Sequence, residues 1–162
     1  PERTPIETKN RDIYGHQALP WSRPQAILSS SIFIKDTILS TVRPDGRPHA
    51  TGIGAIWLDG EIYFTSGPAT RKSRKLAHNP ACTITARLSG IDLMFEGDAR
   101  TGGCPLPSGW QARLIEGDAI TAPYSAPSAG PPPWRLYRFS FHTVVGNATA
   151  EPHGATRWRF ER

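Results

Sequence analysis

The sequence predicts a small, mainly β protein, an antiparallel barrel with few short helices, and three observations carry that expectation. Fifteen Gly and sixteen Pro among 162 residues are too much punctuation for a helical bundle. Short β-branched, apolar runs recur between turn signals, and two of those signals are Asp-Gly steps, Asp45-Gly46 and Asp59-Gly60. Finally, six or seven short antiparallel strands need their edges covered, and closure into a barrel removes the edges.

Taken in order, residues 1–23 are polar and read as an arm laid over the body, with Tyr14, Leu19 and Trp21 as anchors. Residues 24–162 form the single domain. Pro24 to Leu28 reads as a short helix with proline at its first position, where the missing N–H costs nothing. Phe33 to Val42 is a strand that stops at the Arg43-Pro44-Asp45-Gly46-Arg47-Pro48 turn. His49 to Leu58 returns, Asp59-Gly60 turns again, and Glu61 to Thr65 leaves. Thr70 to His78 reads as a helix, halted by Asn79-Pro80 because the residue before proline is pushed out of the α region. Cys82 to Leu88 alternates, Ser89-Gly90 turns, and Ile91 to Ala99 forms the next strand. Later strands are expected at Leu136 to Phe141 and Thr156 to Phe160, after a Gly-, Pro- and Ser-rich excursion over 102–133.

Composition excludes several classes of function. The longest apolar stretches, such as Gly54 to Leu58, fall far below the roughly 18 residues of a spanning helix, so no membrane partner is expected. The start, Pro1 to Pro5, shows no apolar h-region of a signal peptide or anchor. Two cysteines, Cys82 and Cys104, make no disulfide framework, and a reducing cytoplasm is the expected setting. Five histidines lack ligand spacing, so no metal is expected. The net charge of +5 comes without a recognisable nucleic-acid module, and no nucleic-acid partner is expected.

The segment 64–75 is the most informative. A strand runs through Thr65 and Ser66 into a glycine turn, and a helix opens after Thr70 with four cations, Arg71, Lys72, Arg74 and Lys75. Cations at a helix N-terminus oppose the macrodipole by some tenths of a kcal/mol each. An anion held by free N–H groups, hydroxyls and cations would remove the conflict, as in a phosphate site. The competing reading is a solvated basic face. Arg47 and His49 after the first turn, Trp110, Trp134 and Trp158 as stacking surfaces, and Arg157 with Arg159 on one strand face are further candidates. No Ser/His/Asp or Cys/His set stands out.

Seen together, Leu39 to His49, Ile56 to Gly60, Tyr63 to Pro68, Arg71 to Pro80 and Glu96-Gly97 resemble the pyridoxamine 5′-phosphate oxidase-like family of flavin and deazaflavin oxidoreductases. Thr156 to Phe160 resembles a frequent C-terminal ending in one branch. The resemblance implies an antiparallel, Greek-key-like split β-barrel of the FMN-binding type. It implies a homodimer with the cofactor, deazaflavin F-420 slightly preferred over FMN, at the subunit interface. Carried over by position, Thr65, Ser66, Thr70, Arg71 and Lys72 hold its phosphate, and Arg47 with Thr51, Gly52 and Ile53 lies near the ring. Trp110, Arg157 and Trp158 are looser candidates, reaching across from the partner. The implied reaction moves a hydride between cofactor and a small conjugated organic substrate, with His49 as the candidate proton donor. The alternatives are an FMN-dependent pyridoxamine phosphate oxidase-like enzyme and a non-catalytic heme- or flavin-binding protein, with His49 or His142 as heme ligand. In this family a helix usually follows the Glu-Gly strand, whereas here Gly102-Gly103 comes almost at once.

Overall fold

A computed structural model describes residues 2–31, 33–66, 70–101 and 135–162. Among these residues eight strands and two helices follow in the order β1 (Glu7–Asn10), α1 (Ser22–Ser29), β2 (Phe33–Val42), β3 (Pro48–Leu58), β4 (Glu61–Ser66), α2 (Arg71–His78), β5 (Ala81–Leu88), β6 (Ile91–Thr101), β7 (Arg135–Ala148) and β8 (Ala155–Arg159). All pairings are antiparallel. The sheet order is β1-β8-β7-β4-β3-β2-β5-β6, and β6 also pairs with β7, so six strands close into a barrel while β8 and β1 extend it along β7. This is the mainly β, closed architecture that the turn chemistry implied.

Each hairpin follows from its turn. Asp59 and Gly60 both adopt positive φ, 51° and 79°, so that Leu58 pairs with Glu61 across a two-residue loop. Gly46, at φ 85°, lets the first turn close with Val42 opposite Pro48. Alternation then fills the barrel: Leu39, Ile56, Ile62, Phe64, Ile84, Leu93, Phe95 and Phe139 are fully buried.

Three elements depart from the sequence expectation, the first being helix α1, which starts at Ser22, so that Pro24 is its third residue and not its first. The arm is part of the sheet, because Glu7 to Asn10 pair with Arg159 to Thr156. Leu19 and Trp21 are buried as expected, but Tyr14 is 80% exposed and pins nothing. Strand β7 runs past Phe141 to Ala148, and its inward positions change parity: Tyr137, Phe139 and Phe141 are buried, then Val144 and Gly146. The register shift between the Glu96–Thr143 and Gly97–Phe141 pairs accommodates His142 as an extra residue. Gly97 is what allows that close approach, since a Cβ there would lie 2.1 Å from the Ser140 carbonyl oxygen.

No helix among the described residues is long and apolar enough to cross a membrane.

Candidate functional site

The corner between β4 and α2 is built around one hydroxyl network. Thr70, extended at φ −72° and ψ 156°, is the N-cap of α2, and its Oγ1 accepts the Ser73 amide at 3.3 Å. Ser66 Oγ, fully buried at the end of β4, lies 2.7 Å from Thr70 Oγ1 and accepts from Ser73 Oγ at 2.9 Å. The strand end, the cap and the first helical turn are thereby locked together. Asn79, extended, ends the helix with its amide on the Lys75 carbonyl.

The first turn of α2 holds no acidic residue. Lys72 belongs to the buried face of the helix, beside Ser73 and Leu76, where α2 packs on β2 and β6. It is only 4% exposed, and among the described residues no ion pair or hydrogen bond holds its ammonium. Burial alone lowers its pKa. Arg71 and Arg74 are exposed on the same helix. Lys75 Nζ is buried without a hydrogen-bond partner among the described residues, and its pKa is lowered by desolvation, then by Arg43, Arg71 and Arg74. His49, half-buried on β3, has its Nδ1 buried and unpartnered; desolvation, Lys75, Arg43 and Arg71 all push its pKa below the usual 6.5. The structure thus gathers cations from the first hairpin and from α2 with no carboxylate among the described residues to balance them.

Thr51 and Ile53 lie on the same face of β3 as His49, while Gly52 is exposed with open space where a side chain would stand. Arg47 is exposed at the turn, with its amide on Asp45 Oδ1 at 3.0 Å. The candidates on β3, Ser66, Thr70, Arg71 and Lys72 therefore occupy β3, the end of β4 and the start of α2. The side chain of Thr65 and all of Trp110 and Trp134 lie outside the described residues, as do Gly67, Pro68, Ala69 and the excursion from 102 to 134.

Two other candidates are used inside the fold. Trp158 is fully buried, donates its indole N–H to the Leu19 carbonyl at 3.2 Å and packs edge-on against Trp21. It offers no face to a ligand. Arg157 and Arg159 do share a strand face, but both reach Glu7 of β1, at 3.1 and 3.6 Å. Arg43, Thr41 and Ser73 were not singled out in the sequence; Arg43 sits on a turn where a cation looks merely solvated, and Thr41 shows its importance only through its register opposite His49.

Comparison with known proteins shows what the chain is similar to. Residues 35–101, spanning β2 to β6, match the family model described as pyridoxamine 5′-phosphate oxidase. The central part of the chain is thus similar to the pyridoxamine 5′-phosphate oxidase family. Solved structures share the fold at low identity. A pyridoxamine 5′-phosphate oxidase-related, FMN binding protein from Nostoc punctiforme PCC 73102 is 16% identical, with a TM-score of 0.56 over 90% of this chain and 93% of that one. PhzG from Burkholderia lata 383, in complex with tetrahydrophenazine-1-carboxylic acid, is 18% identical, with a TM-score of 0.56 over 87% and 83%. A heme binding protein from Mycobacterium smegmatis is 18% identical, with a TM-score of 0.57 over 80% of this chain and 54% of that one. No curated protein matches the sequence.

Proposed function

We propose that this chain is an oxidoreductase that binds a phosphate-bearing flavin-type cofactor at the β4–α2 corner, deazaflavin F-420 in preference to FMN, and acts on a small conjugated organic substrate. One observation carries the reading: Lys72, only 4% exposed, is a cation with no carboxylate partner among the described residues, in the first turn of a helix capped by Thr70. A buried charge is costly unless something of opposite sign meets it. A phosphate fits that environment, because the helix terminus, Lys72 and Arg71 all favour negative charge there.

When bound, such a cofactor supplies the hydride chemistry itself, so the protein's part is position, shielding and charge. Arg71 and Lys72 would hold the phosphate oxygens, with Thr70 and Ser66 fixing the corner that presents them. The uncovered backbone at Gly52 leaves room for a flat ring beside Thr51 and Ile53. F-420 is preferred because positive charge continues past the corner, through Arg74, Lys75 and Arg43, further than one phosphate requires. The partner in this reading is a second copy of the chain. Ile38, 46% exposed and directly opposite Gly52, is apolar surface that such an interface would cover.

His49 enters this reading as a cofactor contact more readily than as a general acid. Its setting holds the ring neutral near pH 7 in the ligand-free protein, and a neutral ring is a poor proton donor.

Titration of the purified protein with FMN and with F-420, followed by absorbance and fluorescence, tests the assignment. Saturable binding that weakens in Arg71→Ala and Lys72→Ala supports it, each by about 1.5–3 kcal/mol for a charged hydrogen bond. Unchanged midpoints in both variants would contradict it. Hemin in place of these ligands, giving a Soret band lost in His49→Ala, would favour a heme-binding role, to which the unpartnered His49 Nδ1 also lends itself.

A further inference from the structure

Three buried polar atoms without partners among the described residues come from adjoining elements: Thr41 Oγ1 on β2, His49 Nδ1 on β3 and Lys75 Nζ on α2. Thr41 and His49 face each other directly in the β2–β3 ladder, which puts their Cβ atoms about 4.5–5.5 Å apart on one face of the sheet. Thr41 is 1% exposed, so its hydroxyl has no water to turn to. Lys75 is the cation that acts most strongly on the His49 ring, followed by Arg43 from the hairpin and Arg71 from the first turn of α2.

None of the acids on the surrounding elements, Asp36 on β2 and Glu96 on β6 included, is among the groups that act on the His49 ring. Asp45, on the same hairpin, accepts the Arg47 amide. Glu61 on β4, the other neighbour of β3, pairs with Arg138 at 2.7 Å. Strand β5, beside β2, carries no acid at all, and on β6 Asp92 and Asp98 lie near Arg87 and Arg100. His78 and Lys72, the remaining titratable groups of α2, are not among the groups that act on the ring. His49 is therefore surrounded by donors and cations, and its imidazole is the one member of the cluster whose charge can change near neutral pH.

An anionic oxygen beside the His49 ring would have the Lys75 charge and the Thr41 hydroxyl of the adjoining elements to draw on, and a further donor appears if the imidazole is protonated, since both ring nitrogens then donate. The anion also offsets the repulsion from Lys75, Arg43 and Arg71 that keeps the ring neutral. We propose that His49 takes up a proton from solvent when the anionic cofactor binds, so that the protein holds its ligand most tightly on the acid side of neutrality and loosens its grip as pH rises. This rests on the phosphate-site reading above. Apart from that one proton, no covalent bond is made or broken. His49 thereby becomes a subsite that reads the ligand's negative charge, and neutral analogues lacking the phosphate bind without the proton.

The experiment is isothermal titration calorimetry of the full chain with FMN and with F-420, at pH 6.5 to 8.5, in pairs of buffers of different ionisation enthalpy, comparing wild type with His49→Gln. Wild type is expected to take up protons on binding and its Kd to rise with pH, at most about tenfold per pH unit for one proton. His49→Gln, which cannot titrate, is expected to bind with a flatter pH profile. The variant also removes the confounding ionisation of the phosphate itself, near pH 6, because that is common to both proteins. The ring signals of His49 by NMR, with and without saturating inorganic phosphate, give a second readout that needs no variant; an upward shift of its titration supports the proposal. Binding of either cofactor with no proton uptake, or with uptake undiminished in His49→Gln, overturns it while leaving the cofactor site in place. Failure of both cofactors to bind at any pH overturns the site and this inference together.

Discussion

Replacing Lys72 by methionine separates a binding role from a structural one, because the two move stability in opposite directions. The side chain is 4% exposed and its ammonium has no carboxylate among the described residues, so in the ligand-free protein the charge is a burden that desolvation already registers. Methionine keeps a similar unbranched shape and buries an apolar group in its place, a change worth about 1–3 kcal/mol on the usual area scale. For a chain of this length each kcal/mol moves Tm by roughly 2–4 °C, so the variant should melt several degrees higher without ligand. The same substitution removes a charged contact to the phosphate and should weaken FMN or F-420 by about 1.5–3 kcal/mol, roughly ten- to hundredfold in Kd. The assay is a thermal melt of the apo-protein by circular dichroism alongside a cofactor titration of the same preparation. A variant that melts lower and binds unchanged would refute the reasoning, since Lys72 would then be holding the fold together and not a ligand.

Three further outcomes follow from the same geometry. Trp158→Ala should cost about 3–5 kcal/mol of stability, the usual range for a fully buried aromatic, and Gly146→Ala should also destabilise, because its Cβ would come 2.7 Å from the Trp158 ring; equal melts in both variants and wild type would show that Trp158 is not core. The depressed pKa of His49 means that the unfolded chain binds more protons than the folded one between that value and 6.5, so this group's contribution to stability falls as pH drops through that window, and acid melts of wild type should fall more steeply than those of His49→Gln. Burial pushes the Cys82 thiol up to about 12, so in a Cys104→Ser background thiol reagents at pH 7.5 should label the protein only after denaturation; rapid labelling of the native protein would contradict its position in β5.

The strands from β2 to β6 and helix α2 were legible in the sequence for local reasons. The Asp59-Gly60 dipeptide specifies its own turn, Asn79-Pro80 ends its helix, and Cys82 to Leu88 alternates because one face of β5 is buried. Strand β1 was not legible: Glu-Thr-Lys-Asn is exposed at every position, and it joins the sheet through backbone pairing with β8 and the Glu7 contacts to Arg157 and Arg159. The second half of β7 was lost because the extra residue at His142 shifts the inward face from odd to even positions, which destroys the period on which a strand is recognised. The site divides the same way. The conflict between the cations and the helix dipole at Arg71 and Lys72 could be read from residue order alone. The burial of Lys72 depends on which face of α2 meets β2 and β6, and the pairing of Thr41 with His49 depends on strand register; both are properties of the closed barrel. Trp158 shows the reverse error, an aromatic flanked by arginines that looks like a ligand contact until the arm supplies Leu19 and Trp21 to cover it.

The most direct measurement is a crystal structure of the protein grown with saturating F-420 or FMN. The account predicts phosphate density at the N-terminal turn of α2, within hydrogen-bond reach of Lys72 and Arg71. Cofactor density with its phosphate anywhere else, and this corner left to solvent, would contradict it.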